Sequence, residues 1–451
     1  MAEFEALLTD LYELTMAAGY FTHRIASRAT FELFVRSLPP ERGFLLACGL
    51  ESALDYLEKF HFEEEEIAFF RRQPAFRSIP DAFFDYLAKL RFTGDVSAIP
   101  EGTVVFAEEP LLQVTAPIAE AQIVETYLLS VLNFETSVAT KAARTVRAAA
   151  GKDVLEFGTR RAQGPEAGVR AARAAYVGGC AATSNVLAGF LYGVPLAGTA
   201  AHSWTQAFAS ERESFEALLE SFPDTAILLI DTYDALTGAA MAASLGRQIR
   251  GIRLDSGNLL EQSRRVRQIL DRAGLTETKI VASGDLNEHK VQKLAAASAP
   301  IDYFGVGTEL ATSRDVPALN VVYKLVEMEQ AGQVKYKAKF SEHKAYAPGR
   351  KQIFRFSSGG LYERDLLARV EETYADGTPL LEPVMKNGKR MKPPAPLAEI
   401  RAHAQANLAR LPAPYQSLES PEAYRVEKSR TLEELASQVR EHYVGTGTTR
   451  Q

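Results

Sequence analysis

The chain has 451 residues, 46% of them hydrophobic, and a formal net charge of -6 at pH 7. This length and composition predict two domains or one elaborated domain rather than a single small core. The acidic balance excludes an overall positive field that would draw the chain to nucleic acid or anionic lipid. Cys48 and Cys180 lie far apart in the sequence, so neither a disulfide framework nor a cysteine metal site is indicated.

The first ten residues are acidic where a signal peptide would be basic. Apolar runs also stay well below the roughly 20 residues that a membrane span needs. Together with the two isolated cysteines, these features predict a soluble, cytoplasmic protein without a membrane partner.

The first part of the chain mixes helices with short strands. Helical spacing at 7–20, with Thr9 and Asp10 as a cap, is followed by apolar strands at 30–35 and 44–48. Short strands separated by prolines and glycines fill 94–116, and one long helix is predicted from 118 to 150.

A repeating region follows, in which apolar strands alternate with amphipathic helices. The predicted strands are 154–157, 178–182, 195–198, 226–230, 251–254, 279–282 and 301–304, and the predicted helices are 166–176, 204–221, 235–246, 259–274 and 287–297. A repeat of about 25 residues is typical of βα units in a parallel sheet. A barrel is favoured over an open doubly wound sheet because every strand end carries polar residues.

Beyond residue 320 the pattern returns to strands, at 321–326, 334–340 and 352–356, followed by a loop at 385–396 and helices at 397–411 and 432–443. The predicted fold is therefore an irregular parallel α/β (TIM-like) barrel with a second α/β domain. We assign the barrel to residues 136–320, and the second domain to residues 1–135 and 321–451.

The strand ends predict an active site, because the carboxyl ends of parallel barrel strands meet on one face. His202 lies there in a loop of small residues, and an unperturbed imidazole can act as a nucleophile, acid or base. Asp234 or Asp231 would fix its tautomer. A surface or packing role for His202 is the alternative.

Two glycine turns predict phosphate binding. They comprise Ser283, Gly284 and Asp285 in one strand end, and Gly305, Gly307 and Thr308 in the other. Glycines let successive backbone N–H groups face an anion, and the last two loops of a barrel frequently form its phosphate site. Each turn taken alone is also compatible with an ordinary tight turn.

Two further strand ends carry paired groups. Arg253 and Asp255 lie on the same side of an extended strand, so they suit the phosphate and hydroxyls of a phosphosugar, with a structural salt bridge as the alternative. Phe157 beside Arg160 and Arg161 suits an aromatic anion, although an arginine pair is also typical of a solvated edge.

Five segments together resemble the nicotinate phosphoribosyltransferase family: TDLYELTM at 9–16, EFGTRR at 156–161, GTAAHSW at 198–204, RLDSG at 253–257 and FGVGT at 304–308. The resemblance implies a dimer with shared active sites. It also implies that nicotinate and 5-phosphoribosyl 1-diphosphate give nicotinate mononucleotide and diphosphate. Mg²⁺ and coupled ATP hydrolysis through a phosphohistidine are implied as well, which would make the enzyme an ATP-dependent ligase of NAD biosynthesis.

The resemblance also implies roles for single residues. His202 is the position of the phosphohistidine, and Asp234 would orient it. Phe157 and a neighbouring subunit's Tyr12 would sandwich the pyridine ring, Arg160 and Arg253 would meet anionic groups, and Asp255 would meet the ribose hydroxyls. The phosphate site would be lined by Ser283, Gly284, Asp285, Gly305, Gly307 and Thr308.

Asn185 bears on the choice of substrate. Nicotinamide-using relatives place an aspartate at this position, and a carboxylate would repel nicotinate, so the neutral Asn185 favours the acid. Nicotinamide phosphoribosyltransferase, quinolinate phosphoribosyltransferase and a non-catalytic phosphoribosyl-binding protein are the alternatives. A barrel aldolase or isomerase is less favoured, because no strand end displays a lysine.

Overall fold

The structure, a computed structural model, describes residues 5–341 and 344–445. The outermost limits of the predicted domains, residues 1 and 451, lie outside these ranges. The helices are α1 (Leu11–Thr22), α2 (Leu50–Lys59), α3 (Glu64–Arg71), α4 (Asp81–Lys89), α5 (Ile118–Ile123), α6 (Glu125–Ala148), α7 (Pro165–Val177), α8 (Val186–Tyr192), α9 (His202–Gln206), α10 (Glu211–Ser221), α11 (Ala235–Ala243), α12 (Leu259–Arg272), α13 (Glu288–Ala296), α14 (Thr308–Ala311), α15 (Leu397–Arg410) and α16 (Arg430–Val444).

The strands are β1 (Arg28–Val35), β2 (Leu45–Leu46), β3 (Asp95–Ala98), β4 (Val104–Val105), β5 (Pro110–Pro117), β6 (Asp153–Glu156), β7 (Ala182–Thr183), β8 (Ile227–Leu229), β9 (Gly251–Leu254), β10 (Lys279–Ala282), β11 (Tyr303–Val306), β12 (Val321–Gln330), β13 (Gln333–Tyr336), β14 (Lys351–Ser358), β15 (Leu361–Arg369), β16 (Thr378–Pro379), β17 (Glu382–Lys386), β18 (Lys389–Arg390) and β19 (Val426–Lys428). The chain divides into one compact unit made of Met1–Thr136 and Ala318–Gln451 and another made of Ser137–Pro317. Among the described helices, none has the length and apolarity that a bilayer span requires.

The unit built from both chain ends contains a seven-stranded sheet in the order β13-β12-β1-β5-β3-β17-β18. Strand β1 pairs antiparallel with β5 on one side and with β12 on the other, so early and late segments share one sheet. Phe31 of β1 stacks on Tyr323 of β12 with ring centroids 4.8 Å apart. This pairing confirms the second α/β domain that the fold prediction drew from the two ends of the chain.

The other unit contains six parallel strands in the order β7-β6-β11-β10-β9-β8, curled into a half barrel. Ile252 and Leu254 of β9 and Ile280 to Ala282 of β10 are fully buried, which is expected for parallel strands covered on both faces. The predicted irregular parallel barrel is confirmed in this form. All six strands point their carboxyl ends to the same edge, where the active site was predicted.

Several predicted elements differ in the structure, and the strand predicted at 178–182 is only the two-residue β7. Residues 195–198 form no strand but a single bridge from Leu196 to Thr183, since Pro195 has no N–H to donate. The predicted helix 204–221 is interrupted, because Ser210 accepts a hydrogen bond from the Glu213 N–H and begins α10 anew. Helix 118–150 is also two helices.

The predicted loop at 385–396 contains the hairpin of β17 and β18. Its turn is formed by Asn387 and Gly388, both with positive φ, and Asn-Gly is the most favoured pair for a two-residue hairpin turn. The Lys, Arg and Pro content of this segment concealed a strong local turn signal.

Candidate active site

The carboxyl ends of β6, β9, β10 and β11 surround a cavity of about 710 Å³. The predicted site residues that line it are Phe157, Arg160, Arg253, Asp255, Ser283, Gly284, Asp285, Gly305, Gly307 and Thr308. Four predicted residues, Tyr12, Asn185, His202 and Asp234, are not among the lining residues. The ten lining residues come from strand ends up to about 150 residues apart in sequence, which the parallel strands bring to one edge.

The cavity is positively charged although the whole chain is acidic. Its lining includes five cationic side chains, Arg160, Arg161, Arg253, Lys290 and Arg314, and three carboxylates, Asp255, Asp285 and Glu309. The surplus of two positive charges, together with the lining glycines Gly284, Gly305 and Gly307, suits an anion with several charged oxygens.

Arg253 at the end of β9 is held in place by its neighbours. Its Nε donates to Ser283 Oγ at 3.0 Å, and its Nη2 lies 3.1 Å from Asp255 Oδ1. Ser283 Oγ also donates to Asp255 Oδ1 at 2.5 Å, so the three side chains form a closed set. The Arg253–Asp255 salt bridge, which was the alternative to phosphosugar binding, is therefore present, and both residues line the cavity.

His202 is the first residue of α9 and lies next to this set. Its Nδ1 is 3.1 Å from Thr232 Oγ1, and its Nε2 is 3.6 Å from Asp255 Oδ2, longer than a hydrogen bond but within ion-pair range. The side chain is 40% exposed, which leaves the ring accessible to a reactant.

The predicted partner of His202, Asp234, has a different role in the structure. Its carboxylate accepts a hydrogen bond from the Thr237 N–H at 2.8 Å and caps α11, and hydrogen bonds with the Thr237 side chain and backbone lower the pKa of the exposed Asp234. The Asp234 carboxylate, which we expected beside the imidazole, instead accepts from an N–H group in the first turn of its own helix, because those groups have no partner within the helix. Asp231, the other candidate, accepts from the Asp255 N–H and from Ser256 Oγ.

Gly284 and Gly305 are required by the close approach of neighbouring segments. Gly284 has φ +94°, and a Cβ there would lie 1.9 Å from the Asp255 carbonyl oxygen. A Cβ at Gly305 would lie 2.6 Å from the ring of Phe157. The first glycine lets the 283–287 turn pack on β9, and the second makes room for the ring at the cavity wall.

Phe157 and Arg160 follow β6, in a turn that hydrogen bonds to Val306 and Glu156 hold in place. The Phe157 N–H donates to the Val306 carbonyl at 2.9 Å, which fixes the start of the turn. Glu156, buried beneath it, accepts hydrogen bonds from Thr183 Oγ1 and the Gly158 N–H, and burial raises its pKa. Arg160 itself is exposed, with its guanidinium free to meet a ligand at the cavity.

Asn185 and Tyr12 do not line the cavity, although Asn185 directly follows the lining residue Ser184. Asn185 is 5% exposed and caps α8: Oδ1 accepts from the Ala188 N–H at 2.8 Å, and Nδ2 donates to Thr159 Oγ1 at 3.0 Å. Tyr12 is on α1 in the other unit and is 45% exposed. Its pKa is raised, first by burial and then by Glu125 and Glu13. A neighbouring subunit's Tyr12 at the pyridine ring stays a prediction.

Lys290 and Arg314 are lining residues that sequence reasoning missed. Lys290 is in the first turn of α13, where its Nζ donates to the Asp285 carbonyl at 2.7 Å. Arg314 follows α14 and donates to Glu309 Oε1 at 3.3 Å. Both lie a few residues beyond the polar breaks that end the strands. Basic residues within about six positions of a polar strand end are the signal that would have indicated both.

Profiles of three protein families match the chain. The nicotinate phosphoribosyltransferase (NAPRTase) N-terminal domain matches residues 7–133, the NAPRTase C-terminal domain matches residues 367–436, and the quinolinate phosphoribosyl transferase C-terminal domain matches residues 138–319. The third match covers nearly all of the half-barrel unit, and the first two cover much of the unit formed by the chain ends.

Similar proteins span almost the whole chain. Nicotinate phosphoribosyltransferase pncB2 of Mycobacterium tuberculosis is 45% identical over 92% of this chain and 89% of its own length. Nicotinate phosphoribosyltransferase of Bacillus subtilis is 37% identical over 94% of this chain and 93% of its own.

Among solved structures, human nicotinic acid phosphoribosyltransferase is 31% identical and superposes with a TM-score of 0.84, covering 95% of this chain and 99% of the human one. Identity and coverage of this extent place the chain in one family. This chain belongs to the nicotinate phosphoribosyltransferase family.

Proposed function

We propose that this chain transfers the phosphoribosyl group of 5-phosphoribosyl 1-diphosphate to nicotinate, forming nicotinate mononucleotide and diphosphate. The observation that carries the proposal is the cationic cavity at the strand ends, where a phenylalanine ring lies beside exposed arginines and two glycine turns. The names of the relatives at 45% and 37% identity support the same reaction.

The pyridine acid is assigned to the end of the cavity formed by the turn after β6. The face of Phe157 offers a stacking surface, and Arg160 with Arg161 offers charge for the carboxylate. Stacking and ion pairing together fix the ring plane, so the ring nitrogen can be directed at the sugar. Orientation of this kind lowers the barrier by reducing the entropy lost on reaction.

The phosphoribosyl diphosphate is assigned to the glycine turns. Backbone N–H groups of the 283–285 and 305–308 turns, with Lys290 and Arg314, would bind phosphate oxygens, while Asp255 would accept from ribose hydroxyls. The nitrogen lone pair forms the new bond to the anomeric carbon as the carbon–oxygen bond to diphosphate breaks. Diphosphate leaves with that electron pair, so fixed positive charge around it stabilises the transition state.

Magnesium fits the oxygen ligands at the edge of the cavity. Asp255 lines the cavity. Asp231 lies two residues after β8, and its buried Oδ1 has no hydrogen-bond partner among the described residues. Carboxylates of this kind are the ligands that Mg²⁺ prefers, and we infer that these two would hold it. When bound with diphosphate, the ion supplies charge neutralisation on the leaving group.

ATP coupling is assigned to His202, which would place the chain in the ATP-dependent ligase class. An imidazole nitrogen would attack the γ-phosphorus of ATP, the bond to the β-phosphate oxygen would break, and ADP would leave. Water would later release phosphate from the histidine. Because Nδ1 lies at Thr232, we assign the phosphoryl group to Nε2, which faces Asp255.

The active enzyme is proposed to be a homodimer in which the partner's Tyr12 covers the pyridine ring. The exposure of Tyr12 on α1 leaves its ring available for such a contact. Nucleic acid and membranes are not among the proposed partners, since the chain has a formal net charge of -6.

An activity assay tests the proposal. Purified protein is supplied with 5-phosphoribosyl 1-diphosphate, Mg²⁺ and either nicotinate, nicotinamide or quinolinate, each with and without ATP, and diphosphate release is measured. We expect release that depends on nicotinate and is stimulated by ATP. Release with nicotinamide alone would instead identify a nicotinamide phosphoribosyltransferase, and binding without any release would identify a non-catalytic phosphoribosyl-binding protein.

A further inference from the structure

Lys141 is a buried lysine that joins the two chain segments behind the glycine turns. It lies on α6 with its side chain 2% exposed, and its Nζ is 2.5 Å from Glu288 Oε2 and 2.8 Å from Asp315 Oδ1. Glu288 opens α13, directly after the 283–287 turn, and is fully buried. Asp315 follows the 305–308 turn and α14. One ammonium group therefore holds the segments that continue from both turns.

The contacts of Lys141 extend to the cavity wall. Its Nζ lies 3.9 Å from Glu309 Oε2, and Glu309 Oε1 accepts a hydrogen bond from Arg314 at 3.3 Å. Glu309 and Arg314 both line the cavity. The ammonium of Lys141 is thus linked, through the Glu309 carboxylate, to a cation that lines the cavity.

Charge explains why this lysine is not replaceable by an apolar residue. A buried ammonium is stable only when carboxylates compensate for its lost hydration, and three carboxylates meet Lys141 here. Without it, those carboxylates would repel one another behind the turns. Glu288 would keep Arg144, whose Nε lies 3.5 Å from Oε1.

We propose that Lys141 is a positioning residue for the phosphoribosyl diphosphate site. It sets the spacing of the 283–287 and 305–308 turns and the direction of Arg314 without touching the substrate. The inference rests on the proposed function, because it assigns that site's phosphates to these turns.

The test compares Lys141→Met with Lys141→Arg and with Lys152→Met. Lys152 is a matched control in the same unit: its Nζ donates to the carbonyls of Ala299 and Ile301, which ties together the chain before β6 and before β11, at the opposite ends of the strands. For each variant, KM for 5-phosphoribosyl 1-diphosphate, KM for nicotinate, kcat and the affinity for inorganic diphosphate by calorimetry are measured.

For Lys141→Met we expect KM for 5-phosphoribosyl 1-diphosphate and Kd for diphosphate to rise roughly 10- to 100-fold, as loss of an outer-shell partner does at other sites, with KM for nicotinate changed less than about twofold. Lys141→Arg restores the charge and is expected to recover most of the affinity. Lys152→Met is expected to lower thermal stability while leaving both phosphate measurements unchanged. Equal effects of Lys141→Met and Lys152→Met would overturn the proposal.

A double variant keeps the proposal testable if Lys141→Met alone does not fold. Lys141→Met with Glu288→Gln removes both charges of the 2.5 Å ion pair, and the same selective loss of diphosphate affinity is expected from it. Unchanged affinity in a folded double variant would also overturn the proposal. If wild-type protein neither releases nor binds diphosphate, the proposed function fails. If the wild type does both and Lys141→Met matches it, only the positioning role fails.

Discussion

The Nε2 atom of His202 lies 3.6 Å from one carboxylate oxygen of Asp255, and the other oxygen of Asp255 lies 3.1 Å from Arg253 Nη2. One carboxylate therefore faces both the predicted phosphohistidine and a cation of the substrate cavity. A phosphoryl group on Nε2 would bring nearly two negative charges beside Asp255. We expect it to repel Asp255 and attract Arg253, which offers a direct path from ATP to the substrate cavity.

Replacement of His202 tests this path. His202→Ala is expected to abolish ATP hydrolysis and the stimulation of transfer by ATP, while a slow transfer without ATP remains because the cavity residues are intact. ATP hydrolysis and diphosphate release are measured in parallel on the same preparation. ATP hydrolysis at the wild-type rate in His202→Ala would show that another group accepts the phosphoryl.

Asp234 provides a second test, since the structure makes it a helix cap rather than the partner of His202. Asp234→Ala is expected to lower the free energy of unfolding, because it removes the N-cap of α11. ATP hydrolysis should stay within about twofold of wild type, because the imidazole keeps Thr232 and Asp255. A loss of ATP hydrolysis as large as that of His202→Ala would restore Asp234 as the orienting residue.

Gly284→Ala tests the geometry of the first phosphate turn. An added Cβ meets the Asp255 carbonyl at 1.9 Å, and φ is +94°, so we expect a loss of about 1–3 kcal/mol in stability and weaker diphosphate binding. Gly246→Ala is the matched control, with φ +64° and open space around its Cβ. It should show the stability loss of positive φ without the loss of binding, as measured by thermal unfolding and calorimetry.

The parallel region could be read from the sequence because its strands are short apolar runs that end abruptly in polar residues. Strands β9 and β10 have the predicted bounds, and the turns after them line the cavity as expected. The pattern of apolar and polar residues gives the strand ends, and the parallel direction of the strands puts those ends at one edge. Ten predicted site residues therefore line the same cavity. Lys290 and Arg314 escaped because they lie beyond the strand ends, in α13 and in the turn after α14, where basic residues are also common on solvated surfaces.

Side-chain partners could not be read in the same way. The sequence placed Asp234 at the strand end that follows that of His202. Whether its carboxylate binds the imidazole or the N–H groups of its own helix depends on distances of a few ångströms. Lys141 shows the same limit, because its three carboxylates come from two segments more than 140 residues further along the chain. Neither spacing nor periodicity records such contacts.

Asn185→Asp tests the choice of pyridine substrate. Aspartate caps a helix as well as asparagine does, so the change adds a charge near Thr159 while the cap on α8 is kept. We expect the kcat/KM ratio of nicotinate to nicotinamide to fall about tenfold or more, since a carboxylate repels the acid and accepts from the amide. Asn185→Ser, a neutral cap, is the control and should leave the ratio near that of wild type.

Glu13 predicts how stability depends on pH. Burial raises its pKa to about 7 from the ordinary 4.5, although hydrogen bonds from Thr126 and Thr9 oppose the rise. The folded state therefore binds more protons than the unfolded state between these values. The contribution of Glu13 to stability is fully present below pH 4.5 and is lost as pH rises to 7.

Glu13→Gln removes this titration while keeping a side chain that accepts from Thr126. We expect it to exceed wild type by roughly 1–3 kcal/mol in free energy of unfolding at pH 8 and to match wild type near pH 4. Denaturant unfolding at pH values from 4 to 8 measures the difference, with the exposed Glu220→Gln as control. Parallel curves for wild type and Glu13→Gln would mean that Glu13 is ionised in the folded protein, since only a proton held up to pH 7 makes the two curves diverge in this window.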